Sequence, residues 1–301
     1  MMADYTRLIV VSSLFLLVGG CEISFVGDPA GGGLEIPSSD GIDPSNPRVE
    51  RTTTSLDMTD VRNIRIELPT ARVHLSQAGE GTAGSLQVTK IITREGFQSD
   101  ALADLLSRSV LTAERSFVDN ARLDVEATLP KELADTDLVF DIRLVVPVSV
   151  SVEVILKNGP VDVVDISGNV EVRTANGAVS LKSIQGNVIA QTTNRGITIA
   201  DTAGNVKAVT TDADISLRLA PAPDGAISAE TASGNIRFTL AKTTTARLDL
   251  QTASGSVSAN LGGFTVSDVT TGGGYLQGIL NGGGGSIVAR SESGEITFVG
   301  M

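Results

Sequence analysis

Apolar and polar residues alternate along most of the chain, and between residues 151 and 217 the alternation recurs at a fixed interval. Val170, Val172 and Thr174 alternate with Glu171, Arg173 and Ala175, a period of two that predicts a strand buried on one face. Val179 and Leu181 predict a second strand, and Asn176-Gly177 a turn between them. A second turn follows at Gly186, and the unit begins again. The clearest copies are NVEVRTANGAVSLKSIQG (169–186), NVIAQTTNRGITIADTAG (187–204) and NVKAVTTDADISL (205–217), with Asn169, Asn187 and Asn205 spaced 18 residues apart. Looser copies are SVEVILKNGPVDV from Ser151, AISAETASGNIRF from Ala226, RLDLQTASGSVSA from Arg247 and SIVARSESGEITF from Ser286, which makes seven.

One such unit cannot bury its apolar face until a neighbour stacks on it, so a repeat of this length predicts a solenoid. The expected fold class is all-β: a single-domain parallel β-solenoid of about seven 18-residue-type rungs, each spaced by about 4.8 Å, in a rod of roughly 30 Å. Stacking places Val152, Val170, Val188, Val206, Ile227, Leu248 and Ile287 in one inner column. Val161, Val179, Ile197, Ile215, Ile236, Val257 and Ile296 form a second. Thr174, Thr192, Thr210, Thr231, Thr252 and Ser291 form a polar column, expected as a hydroxyl ladder between rungs rather than a site. Glycine in the first turn is expected to supply a positive φ.

The copies, above all GGGGSIVARSESGEITF (282–298), resemble the putative adhesin family of bacterial β-solenoid proteins, a domain of unknown function. The resemblance covers residues 56–301 and is most specific after Asp141. It implies a parallel β-solenoid at the bacterial surface and no assigned catalytic residue. Arg195 and Ala213 stand where the family pattern has glycine in the first turn, so the third and fourth rungs are expected to depart there, with Gly196 compensating in the third.

Before the repeats, residues 61–76 and 85–93 alternate like strands and are expected to be the first, irregular rungs. Ser99 is placed to cap a helix running to about Arg115, with Leu102, Leu105, Leu106, Val110 and Ala113 on one face, as a cap or brace of the solenoid end. Further strands are expected over 122–129 and 138–150, and residues 262–285 form a glycine-rich excursion read as a loop or bulged rung. No Walker lysine and serine follow those glycines.

At the N-terminus, Arg7 precedes an apolar run over 8–18, the length of a signal-peptide core and short for a membrane span. It ends Val18-Gly19-Gly20-Cys21, which resembles a bacterial lipobox, so residues 1–20 are expected to be a lipoprotein signal peptide and Cys21 the lipidated residue. Cys21 is the only cysteine, which excludes an internal disulfide. Glu22, in place of an aspartate, points to the outer membrane. Residues 21–55 are expected to be a flexible tether and 56–301 the solenoid domain.

A net charge of -12 and a pI near 4.6 argue against nucleic acid and against direct adhesion to anionic lipid. The expected partners are the membrane, through the N-terminal lipid, and a surface ligand or envelope protein. Self-association is a further expectation, through the strand edge of the last copy (286–301), after which no cap is evident. His74 is the only histidine and lies in an alternating strand, leaving no evident triad or zinc set, and no cofactor, metal or catalytic residue is expected. The alternative is a polysaccharide lyase or hydrolase using outward carboxylates among Asp162, Asp165, Asp201, Asp212, Asp214 and Glu230. The chain has no tryptophan, and after Tyr5 is removed with the signal peptide Tyr275 alone remains as a tyrosine platform for a sugar.

Overall fold

The computed structural model describes residues 41–42, 48–79, 84–93, 95–147 and 149–301. The expected signal peptide, Cys21 and most of the expected tether lie outside these residues. An N-terminal layer is built from β1 (Gly41–Ile42), β2 (Val49–Ser55), β3 (Asn63–Gln77), β4 (Ser85–Ile92), α1 (Ser99–Arg108), β5 (Val110–Arg115), β6 (Arg122–Thr128) and β7 (Leu138–Val146). The rungs follow as strand pairs: β8 (Ser151–Asn158) with β9 (Val161–Val164), β10 (Val170–Asn176) with β11 (Val179–Lys182), and β12 (Val188–Gln191) with β13 (Ile197–Ala200). Then come β14 (Val206–Thr210) with β15 (Ile215–Leu219), β16 (Ala226–Ser233) with β17 (Ile236–Leu240), and β18 (Ala246–Thr252) with β19 (Val257–Asn260). After the hairpin β20 (Val266–Gly272) and β21 (Tyr275–Leu280), β22 (Gly285–Ser293) and β23 (Ile296–Gly300) close the chain.

The second strands of the rungs form one face, sheet A, and the first strands the other, sheet B. Both inner columns stack in parallel register as the repeat requires, from Val152↔Val170↔Val188↔Val206↔Ile227 on sheet B to Val161↔Val179↔Ile197↔Ile215↔Ile236 on sheet A. Members of these columns are at most 3% exposed, apart from the half-buried Val257 at the far end. The rod is therefore filled by side chains whose burial no single rung achieves.

The spatial order of the last rungs differs from their order in the chain. β22 lies between β16 and β18, parallel to both, with Ile287 opposite Ile227 on one side and Leu248 on the other. β23 lies in the same way between β17 and β19. This corrects the expectation of a self-associating C-terminal edge: the last copy is interior, and every ladder it offers is filled. The glycine-rich excursion supplies the crossing. Its strands β20 and β21 form an antiparallel hairpin, and β21 pairs antiparallel with β18, covering the end of sheet B. Phe264, just before the hairpin, packs on Phe298 at 5.8 Å between ring centroids.

At the other end β3 is a true first rung, one continuous strand whose halves pair with β8 and β9. β4 is not a rung. It runs antiparallel between β2 and β7, so the N-terminal layer is a mixed extension of both sheets. Because β2 already pairs along Val49–Ser55, the folded domain begins before residue 56, and the tether ends earlier than expected. The helix is also shorter than its apolar pattern predicts: it ends at Arg108, and residues 110–115 pair with β6 instead, because a hairpin there satisfies the edge of sheet B. Its N-cap is Gln98, without a side-chain hydrogen bond, rather than Ser99. Leu102, Leu105 and Leu106 are buried beneath it. Lys90 on β4 fastens it, donating to the Leu106 carbonyl at 3.2 Å and pairing with Glu50 at 3.3 Å. Burial pulls the Lys90 ammonium below its usual range, against the attraction of Glu50.

Candidate functional site

The polar columns hold the rod together. Thr192 donates to the Gly177 carbonyl (2.9 Å), Thr210 to that of Arg195 (3.2 Å) and Thr231 to that of Ala213 (3.1 Å). Ser291 continues to Gly234 (3.2 Å) and Thr252 to Gly294 (3.0 Å), so the ladder follows the spatial order and not the chain order. The Thr174 hydroxyl is the one member without a partner in the described structure. Asparagines form two more ladders: Asn187 and Asn205 backbone N–H groups donate to the Oδ1 of Asn169 and Asn187, and Asn194 and Asn176 side chains donate to Asn176 and Asn158. Apart from Thr174, each hydroxyl or amide named here is spent on a neighbouring rung, which leaves these columns structural.

The carboxylates considered as catalytic are scattered. Asp162 on sheet A accepts from the half-exposed His74 ring across 2.9 Å. Asp165 and Asp201 occupy second turns at positive φ, and the Asp214 side chain accepts from the Asn235 N–H. Among the described residues no group of three or more His, Cys, Asp or Glu side chains could hold a metal ion.

The structure does bring Glu230 and Tyr275 into one row, on the outer face of sheet B near its C-terminal end. Glu230 on β16 stands beside Arg290 on β22, Arg290 beside Gln251 on β18, and Gln251 beside Tyr275 on β21. In the next row Ser228, Val288, Asp249 and Gln277 follow the same strands. Asp249 is the hub. It receives Gln251 at 2.8 Å, Gln277 at 3.3 Å and the Arg290 guanidinium. Partial burial pushes its carboxyl up, but the hydrogen bonds from Arg290, Gln277 and Gln251 outweigh that and hold it below the usual carboxylate range.

Tyr275 lies flat. A Cβ at Gly272 on the adjacent strand would meet its Cε1 at 2.2 Å, so the ring covers that glycine, and the side chain remains 41% exposed. An open groove of about 510 Å³ adjoins the row, lined by Glu230, Gln251, Arg290 and Glu292 above the buried ladder hydroxyls. A second groove of similar volume near the N-terminal layer is lined by Arg65, Arg122, Glu153 and Glu171. There Arg122 is matched to Asp124 at 2.7 Å and Glu153 to Arg173 at 3.2 Å, so its charges face each other.

Gln251, Gln277, Asp249 and Arg290 carry no motif and were not singled out from sequence. They meet only because β22 inserts beside β18 and β21 returns antiparallel on its other side. The available signal was the spacing: residues 262–285 are long enough to let the seventh copy cross back.

Fold and row together define a repeat protein of stacked parallel rungs, with a row of polar side chains and Tyr275 on the outer face of sheet B. The Toastrack DUF4097 family matches residues 141–298, and the chain belongs to that family. Solved structures similar to it include a putative cell adhesion protein from Clostridium sporogenes, at 10% identity over 84% of this chain and 100% of that one, with a TM-score of 0.35. A putative adhesin from Bacteroides fragilis has 12% identity over 83% and 97%, with a TM-score of 0.34. A putative lipid binding protein from Parabacteroides distasonis has 13% identity over 84% and 97%, with a TM-score of 0.26. No curated protein matches the chain.

Proposed function

We propose that this chain is a lipid-anchored, non-catalytic protein of the bacterial outer envelope that acts by binding, as an adhesin or a surface scaffold. The observation that carries this reading is the polarity of the rod. The chain enters at the N-terminal layer, where β2 begins, whereas the row from Glu230 to Tyr275 lies near the opposite end of sheet B. With strands about 4.8 Å apart, most of the rod separates the tether from that row. A lipid on Cys21, joined to the rod through the segment that leads to the N-terminal layer, would hold the rod off the membrane with its candidate site outward. The scattered carboxylates and the open shape of both grooves favour binding over hydrolysis.

Protease treatment of intact cells, with immunoblotting and a permeabilised control, tests display. Loss of the protein from intact cells is the expected outcome. Protection until permeabilisation would put the rod in the periplasm and overturn the surface part of the reading.

A further inference from the structure

We infer that the outer face of sheet B around Tyr275 is a binding strip for a neutral glycan chain. The inference rests on the reading of this protein as a binding module and names its ligand class. Three features converge on a polyhydroxylated, uncharged ligand. First, the Tyr275 ring is pinned against Gly272, so one aromatic face is committed to the sheet and the ring stays parallel to it. An aromatic held in this way offers its other face to the C–H face of a pyranose, and it does so with little rotamer entropy left to lose.

Second, the neighbouring groups are rich in acceptors. With their amide N–H groups directed to Asp249, Gln251 and Gln277 keep their carbonyl oxygens, and Glu230 is exposed beside Arg290. Sugar hydroxyls are the donors such a row would take. The one cation of the row, Arg290, is spent on Asp249: its guanidinium reaches both the carboxylate and the Asp249 carbonyl, the latter at 2.7 Å. An anionic sugar would find no uncommitted cation within the row, and the net charge of -12 repels it further.

Third, the strip is linear. Tyr275, Gln251, Arg290 and Glu230 stand on four adjacent strands, so the row advances by about 4.8 Å per strand along the rod. It runs directly into the open groove of about 510 Å³ lined by Glu230, Gln251, Arg290 and Glu292. An extended chain of several sugar units fits this shape better than a monosaccharide, and the openness of the groove favours binding along a chain over enclosing its end.

The test is isothermal titration of the full-length lipoprotein, held in a detergent without a sugar headgroup, with maltohexaose, cellohexaose, laminarihexaose and chitohexaose, and with hexagalacturonate as the anionic comparison. Binding of at least one neutral hexasaccharide is expected, weakened about tenfold by Tyr275→Ala and little changed by Tyr275→Phe. Gln277→Ala, at an exposed position that leaves the glycine cover in place, should also weaken it severalfold. No heat with any of the four at millimolar concentration overturns the inference, as does preference for hexagalacturonate or unchanged affinity in Tyr275→Ala. Sugar binding by a protein that shaving places in the periplasm would overturn display alone, and surface display without sugar binding would overturn this inference alone.

Discussion

At Gly177 an added Cβ would lie 1.8 Å from the Gly159 carbonyl oxygen, although Gly177 itself does not have a positive φ. The glycines of the first turns are thus required mainly by how closely one rung sits on the next, and only Gly159, at φ 114°, also uses glycine's dihedral freedom. The expected reason was wrong for most of these positions, because a sequence shows which residue recurs but not whether a neighbour or a torsion excludes the others. The left-handed positions fall in the second turns, at Asp165, Ser183 and Asp201. Where Arg195 and Ala213 replace glycine, the strand stops short and the chain bends at 193–195 and 211–213, as it also does at 253–255, where Gly255 is present. Gly196 sits in a looser setting, its nearest contact to an added Cβ being 3.3 Å. Gly177→Ala should therefore destabilise the protein by about 2–4 kcal/mol and Gly196→Ala by under about 1 kcal/mol. Thermal melts of the two variants check this, and equal shifts would refute the distance argument.

Lys90 and Glu50 belong to the same scale. Both side chains are at least nine-tenths buried, and each is the other's counter-charge. Removing one leaves an uncompensated buried charge, so Lys90→Met alone should cost about 3–5 kcal/mol. The double variant with Glu50→Leu should recover much of that loss, because the two desolvation penalties disappear together. Urea unfolding of the two variants measures the difference.

The element that sequence order misplaces is the last one. Seven copies and both apolar columns were legible because period and burial are local properties. The insertion of β22 and β23 was not, because rungs of the same period are interchangeable neighbours, and any of them presents a matching column. What makes the insertion possible is the segment Asn281–Gly284, four consecutive residues at positive φ that turn the chain back from the hairpin into the slot. Once inserted, the element buries Ile287, Ala289, Ile296 and Phe298 completely, and Phe298 also meets Phe238 at 6.3 Å. Phe298→Ala should then cost about 3–5 kcal/mol even though the residue is three from the end of the chain, where truncation is ordinarily tolerated. Chemical denaturation would show it, and a loss under 1 kcal/mol would mean that the C-terminal rung is peripheral. The same insertion carries Arg290 to Asp249. Since Asp249 titrates below its ordinary value in the folded state, its contribution is present above about pH 4 and is lost as the pH falls through the folded value. Asp249→Asn should flatten that part of the acid unfolding curve, recorded by circular dichroism between about pH 5 and 2.

Across the whole molecule, the two ends of the rod are built differently. The N-terminal end spreads into antiparallel strands braced by α1, and the C-terminal end folds the hairpin β20–β21 back over sheet B. The hairpin's outer strand is itself a poor template for another chain: it is bulged between Ser267 and Thr270, with Asp268 at positive φ on the open edge. On sheet A the last strand, β19, pairs only with β23 among the described strands, but its four residues give another chain little to extend. Under the proposed reading the rod stands on a tether, and the anchor decides where it works. In that reading Cys21 would be the residue on which this depends. Cys21→Ser should leave the rod folded, because the first strand of its main pairing begins at Val49, and should move the protein from the membrane fraction to the soluble fraction. Labelling of cells with a radioactive fatty acid, followed by fractionation of wild type and variant, measures both effects. Label and membrane association lost together in Cys21→Ser would establish the lipid as the sole attachment, and a variant that loses the label but stays with the membrane would show that the rod holds the envelope by its own surface.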